Sequence, residues 1–77
     1  MNRRYIIEAL EAIIEDVTGF VMKLPVGSEF EAFFEPEEFS VFRDMVADEF
    51  DLPDYTIVDT AQTFRELLVL LEDELFQ

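Results

Sequence analysis

The chain contains neither cysteine nor histidine. Without cysteine it has no disulfide framework and no thiolate metal site, and without histidine it lacks the commonest general base and metal ligand. Most enzyme chemistries are disfavoured by those two absences. Carboxylates abound, but with no histidine and no metal-binding spacing they do not argue for acid–base catalysis. Asp48, Asp51 and Asp54 look like a fragment of a calcium loop, but Pro53 and a missing glycine break that pattern, so no metal site is expected. Basic residues are also scarce, five Lys and Arg against nineteen Asp and Glu, for a formal charge of -14. Nothing here would displace counterions from a phosphate backbone, which excludes nucleic acid as a partner and favours a basic one. No apolar run approaches the roughly 20 residues that span a bilayer. The opening Met-Asn-Arg-Arg leads into an amphipathic segment and not a signal core. The expectation is a cytoplasmic protein with no transmembrane segment.

What is present is apolar mass. Half of the residues (51%) are hydrophobic and nine are phenylalanine, too much for a disordered chain despite the charge. Residues 1–77 read as a single small domain, which at this size hides only about 60–65% of its unfolded surface. Repulsion among the acids makes the fold sensitive to ionic strength, and salt is expected to stabilise it.

Three amphipathic helices organise the chain. In the first, residues 3–18, Ile6, Ile7, Leu10, Ile13, Ile14 and Val17 form one face and Glu8, Glu11 and Glu15 the other, with Gly19 as the stop. The second spans 35–50. Pro36 suits its first position, Glu37 and Glu38 complement the positive end of its dipole, and Phe39, Phe42, Met45, Val46 and Phe50 share a face. Arg43, Asp44, Asp48 and Glu49 fall largely outside that stripe, and Arg43 is expected to make intrahelical pairs. The third runs from about 61 to 76, capped by Asp59 or Thr60, with Gln62 at the capping-box position for Asp59. Its stripe is Phe64, Leu67, Leu68, Leu71 and Leu75, and Glu72, Asp73 and Glu74 make an exposed acidic end.

Between the first two helices lies a long connection, residues 20–34, broken by Pro25 and Gly27. Val21, Leu24, Val26, Phe30, Phe33 and Phe34 would be awkward in water, so most of the segment is expected to lie back over the helices. Ser28 reads as the cap of a short helical turn over 29–34. Residues 55–59 read either as a short helix or as a turn. The fold class is therefore all-α, a small four-helix bundle of three longer helices plus one short, with a long loop between helices one and two.

In that arrangement the chain resembles the acyl carrier proteins over nearly its whole length. The resemblance is carried by the Ile-Ile-Glu-Asp-Val-Thr-Gly end of the first helix (Ile13 to Gly19), Ser28 and Phe30 before the second, and the acidic second helix itself. The sharpest piece is Ala47-Asp48-Glu49-Phe50-Asp51-Leu52-Pro53-Asp54. The family's Asp-Ser-Leu is absent. Anchoring on Phe50 puts Pro36 at the family's serine position, anchoring on Ser28 and Phe30 puts Glu38 there, and the nearest serine is Ser40, about one turn further along.

The resemblance implies a carrier and not a catalyst. Ser40 would bear a 4'-phosphopantetheine arm holding acyl groups as thioesters, added by a phosphopantetheinyl transferase. Partner enzymes of fatty-acid, lipid or related biosynthesis would dock their basic faces on Glu37, Glu38, Asp44, Asp48 and Glu49. The acyl chain would lie among Phe30, Phe34, Phe39, Phe42, Met45, Phe64 and Leu68, although such a phenylalanine-rich cluster reads more readily as plain core. The chain is expected to act as a monomer. The alternative is an acidic helical interaction protein without a prosthetic group, an immunity-like or nucleic-acid-mimicking inhibitor, in which the same charges are the whole function.

Overall fold

The structure, a computed structural model, describes residues 2–75. Five helices follow one another: α1 (Arg3–Thr18), α2 (Phe30–Phe33), α3 (Pro36–Glu49), α4 (Thr56–Thr60) and α5 (Phe64–Leu75). The described residues contain no strand, only one isolated antiparallel bridge between Glu29 and Thr63. None of the helices is long and apolar enough to cross a membrane.

The side of α1 carrying Ile6, Leu10, Ile13 and Ile14 is buried, as its spacing predicts. Its start is closed by Asn2, whose side-chain oxygen accepts from the Tyr5 amide at 2.9 Å. Its end is Gly19, left-handed at φ 83°, with its amide on the Glu15 carbonyl at 2.7 Å. α1 packs against both α3 and α5, while α2 lies on α3 and α4 on α5. The stripes of α1, α3 and α5 therefore face a common core. Phe42 and Phe64, both fully buried, occupy its centre with ring centroids 5.7 Å apart.

α3 occupies the expected place, with Glu35 and Phe50 as its flanking caps and Pro36 at its first position. The last helix begins with its stripe, at Phe64, and so later than the expected start near residue 61. Residues 56–60 form their own helix, so Asp59 and Thr60 are inside α4 and cannot cap α5. That role falls to Thr63, whose hydroxyl accepts from the Glu66 amide at 3.1 Å. Ala61, buried and extended at φ -71°, ψ 141°, begins the three-residue link between the two helices. Phe76 lies outside the described residues.

The long connection is pinned there by backbone bonds. Phe30 N–H donates to the Gln62 carbonyl at 3.0 Å, Arg65 N–H to Val26 at 3.0 Å, and Phe64 N–H to Ser28 at 3.4 Å. Ser28 therefore contributes its backbone to this clasp. The cap residue of α2 is Glu29, with no side-chain cap bond. Leu24, Phe30 and Phe34 are buried, and Val26 and Phe33 are partly so, in line with a segment that folds back. Val21 departs from that expectation at 82% exposed, beside Phe20 at 69%. Gly19 turns the chain off the end of α1, and Leu24 is the next buried side chain, its amide held by the Glu11 carboxylate at 2.8 Å. The acidic end of α5 is not simply solvated either. Glu72 accepts from Arg3 at 2.6 Å, joining the last helix to the first.

Candidate functional site

An apolar groove of about 440 Å³ lies where α2, the first turn of α3 and the end of α4 meet. Its walls are Phe30, Phe34, Phe39, Pro36, Val58 and Ala61, and its polar lining is Glu29, Glu31, Asp59 and Gln62. The helices produce this arrangement in simple steps. Phe30 is anchored by the amide bond to Gln62 and by edge-to-face contact with Phe64, the ring centroids 4.8 Å apart. Phe34 ends α2 in an extended conformation and turns its ring onto Phe42, 4.8 Å between centroids. Phe39, from the first turn of α3, lies 5.5 Å from Phe30.

Of the seven side chains proposed from sequence to surround an acyl chain, Phe30, Phe34 and Phe39 reach this groove. Phe42, Phe64 and Leu68 are buried in the core and do not line it, and Met45 packs partly buried against that core. The far wall, Val58 and Ala61, was not singled out from sequence. Its signal is a pair of small apolar residues three apart, in a segment too short for periodicity to assign.

Ser40 is exposed, four residues beyond Pro36 and so on nearly the same side of α3, but outside the groove wall. The start of α3 is occupied by its own acids. Glu38 accepts from the Glu35 amide at 2.9 Å, and Glu37 adds a second carboxylate to the first turn. The positive end of the helix is thereby partly neutralised from within the chain.

A latch beside the groove joins α3 to α4. The Arg43 guanidinium lies 4.4 Å from the centre of the Tyr55 ring and donates to Asp59 at 3.2 Å. The intrahelical pairs expected for Arg43 do not form. Docking of α4 brings a carboxylate and an aromatic face to it from another element. The Tyr55 hydroxyl donates to Asp44, a bond that raises the phenol above its ordinary range. Thr56 N–H donates to Asp54 at 2.9 Å, which holds that carboxyl below the usual range and fixes the start of α4.

Glu37, Asp44, Asp48 and Glu49 are exposed and Glu38 is half-buried, all on α3. Three of the five are bonded within the molecule. Glu38 binds the Glu35 amide, Asp44 the Tyr55 hydroxyl, and Glu49 the Tyr5 hydroxyl at 2.6 Å. A second, more open groove of about 680 Å³ sits at the other end of α3, lined by Asp44, Asp48, Asp51 and Asp54 with Leu52, Pro53 and Tyr55. Among the described residues no group of three or more carboxylates is arranged to hold a metal ion.

A scan against protein-family models, a search of curated proteins and a search of solved structures each found no match for this chain.

Proposed function

We propose that the chain is an atypical acyl carrier protein, with Ser40 as the attachment point of a 4'-phosphopantetheine arm. The observation that carries this reading is the phenylalanine-lined groove beside the first turn of α3, one helical turn from the exposed Ser40 hydroxyl. The order of elements supports it: three longer helices, α1, α3 and α5, a short α4 before the last, and a long α1–α3 connection that includes α2.

When joined to Ser40, the arm supplies a thiol that holds acyl groups as thioesters. This chain's own residues would shelter and present the cargo. Phe30, Phe34, Phe39 and Val58 offer an apolar wall, against which each buried methylene is worth about 0.8 kcal/mol. Glu37, Glu38, Asp44, Asp48 and Glu49 give α3 a negative side, which speeds encounter with basic partner faces more than it tightens the final complex. The chain is a carrier in this reading and its partners are the catalysts. Incubation with coenzyme A and a broad-specificity phosphopantetheinyl transferase should add the arm's mass to the intact protein, and Ser40→Ala should abolish the gain. No gain, or a gain that survives the substitution, overturns the assignment.

A second reading, an acidic interaction protein without a prosthetic group, is favoured by the start of α3. Pro36 holds the position that the family's serine takes by alignment on Phe50, and Glu38 already satisfies the Glu35 amide. Affinity capture would then return one basic nuclease or DNA-binding protein in place of acyl-handling enzymes.

A further inference from the structure

We infer that the groove beside α3 is a binding site for an amphiphilic cation, a linear alkylammonium ion with its tail against Phe30, Phe34 and Phe39 and its head at the carboxylates of Glu29 and Glu31. Its volume, about 440 Å³, is in the range of small-molecule sites, and apolar walls with a few polar groups are the usual make-up of such sites. The polar groups here have one sign. No Lys or Arg lines the groove, and three carboxylates do. Asp59 is held by Arg43, whereas neither Glu29 nor Glu31 is ion-paired among the described residues. Both are exposed and stand at the rim while the phenylalanines form the wall.

Charge at the rim ranks the occupants. A fatty carboxylate would bring a third anion beside Glu29 and Glu31, and a neutral alcohol gains only the burial of its tail. An ammonium head gains that burial together with the attraction of unpaired carboxylates in the lining. Phenylalanine faces add a weak attraction for a cation that reaches past the rim. The site needs no arm on Ser40, so its test uses the unmodified chain and is read separately from the mass gain that tests the Ser40 assignment.

The experiment is calorimetric titration of the full chain with n-octylammonium, n-octanol and octanoate at one fixed salt concentration, with the phenylalanine ring signals followed by NMR. Octylammonium should bind roughly fivefold more tightly than octanol, and octanoate more weakly than either. The double variant Glu29→Gln/Glu31→Gln should lose the preference for ammonium yet still bind octanol. Asp73→Asn/Glu74→Gln makes the same change in net charge at the other end of α5, a helix of 12 residues and thus about 18 Å long, and should keep the preference. All four positions are exposed, and circular dichroism verifies that both variants fold. Equal affinity for octanol and octylammonium overturns the proposal. So does equal loss of preference in the two double variants, which would trace the effect to the whole molecule's field. Absence of heat and of ring-signal shifts with all three probes overturns it as well.

Discussion

Asp51 carries the one positive φ of a non-glycine among the described residues, 52°, next to Phe50, the C-terminal cap of α3. It closes the helix with two backbone bonds, Leu52 N–H to the Ala47 carbonyl at 2.9 Å and Asp51 N–H to Asp48 at 3.3 Å. An L side chain is disfavoured in that conformation, and a carboxylate at a helix C-terminus also opposes the dipole. Asp51→Gly should therefore stabilise the fold by roughly 1 kcal/mol, read as a higher urea midpoint. Gly19→Ala should do the opposite by a similar amount. Nothing lies within 4 Å of the added Cβ, so that loss would come from backbone conformation alone. Gly19 is legible in the sequence because a glycine follows a periodic run. Asp51 is not, since its conformation comes from a chain that must turn where Leu52 packs on the core. Tyr5 is similar. Its hydroxyl donates to Glu49, 44 residues away, and that bond raises the phenol above 10.0. A raised folded-state value means the bond's contribution is complete below the unfolded value and is lost as pH climbs through the folded one, above about pH 10. Glu49→Gln should bring one of the two tyrosine steps back down in an absorbance titration, and an unchanged curve would remove the bond from the account.

At the scale of elements, α1, α3 and α5 follow from their stripes, and α4 follows from its neighbours. Five residues cannot hold a helix in water by propensity. α4 rests on buried Val58, on the Asp54 bond at its start, and on the latch of Arg43 with Tyr55 and Asp59. Arg43→Ala should cost roughly 1–2 kcal/mol, since the ion pair is half-exposed and only the ring contact adds to it. The more telling readout is local. Amide exchange should quicken across residues 56–60 while α1 keeps its protection, and a uniform loss would contradict a latch confined to α3 and α4. The clasp between residues 26–30 and 62–65 belongs to the same class of feature. It is formed by backbone groups far apart in sequence, and no side-chain pattern announces it.

For the whole molecule the governing quantity is charge density. A net charge of -14 sits in a body of 32 × 22 × 21 Å, so neighbouring acids lie within about one Debye length, roughly 10 Å at 0.1 M salt. The thermal midpoint should climb steadily as sodium chloride is raised through that concentration, and a flat profile would show that self-repulsion is not a principal opponent of the fold. Composition and period alone determined that this chain is helical, that its core is built on phenylalanine and leucine, and that its surface is acidic. Those properties depend on neighbours three and four residues apart, which any reader of the chain can see. The tertiary structure decided the rest: that Phe30, Phe34 and Phe39 border a groove while Phe42 and Phe64 fill the core, that Asp44 and Glu49 accept from tyrosines of other segments, and that Arg43 reaches across to α4. One stripe serves core and groove alike, because a side chain's period fixes the face it occupies and only the packing of other elements fixes what that face meets.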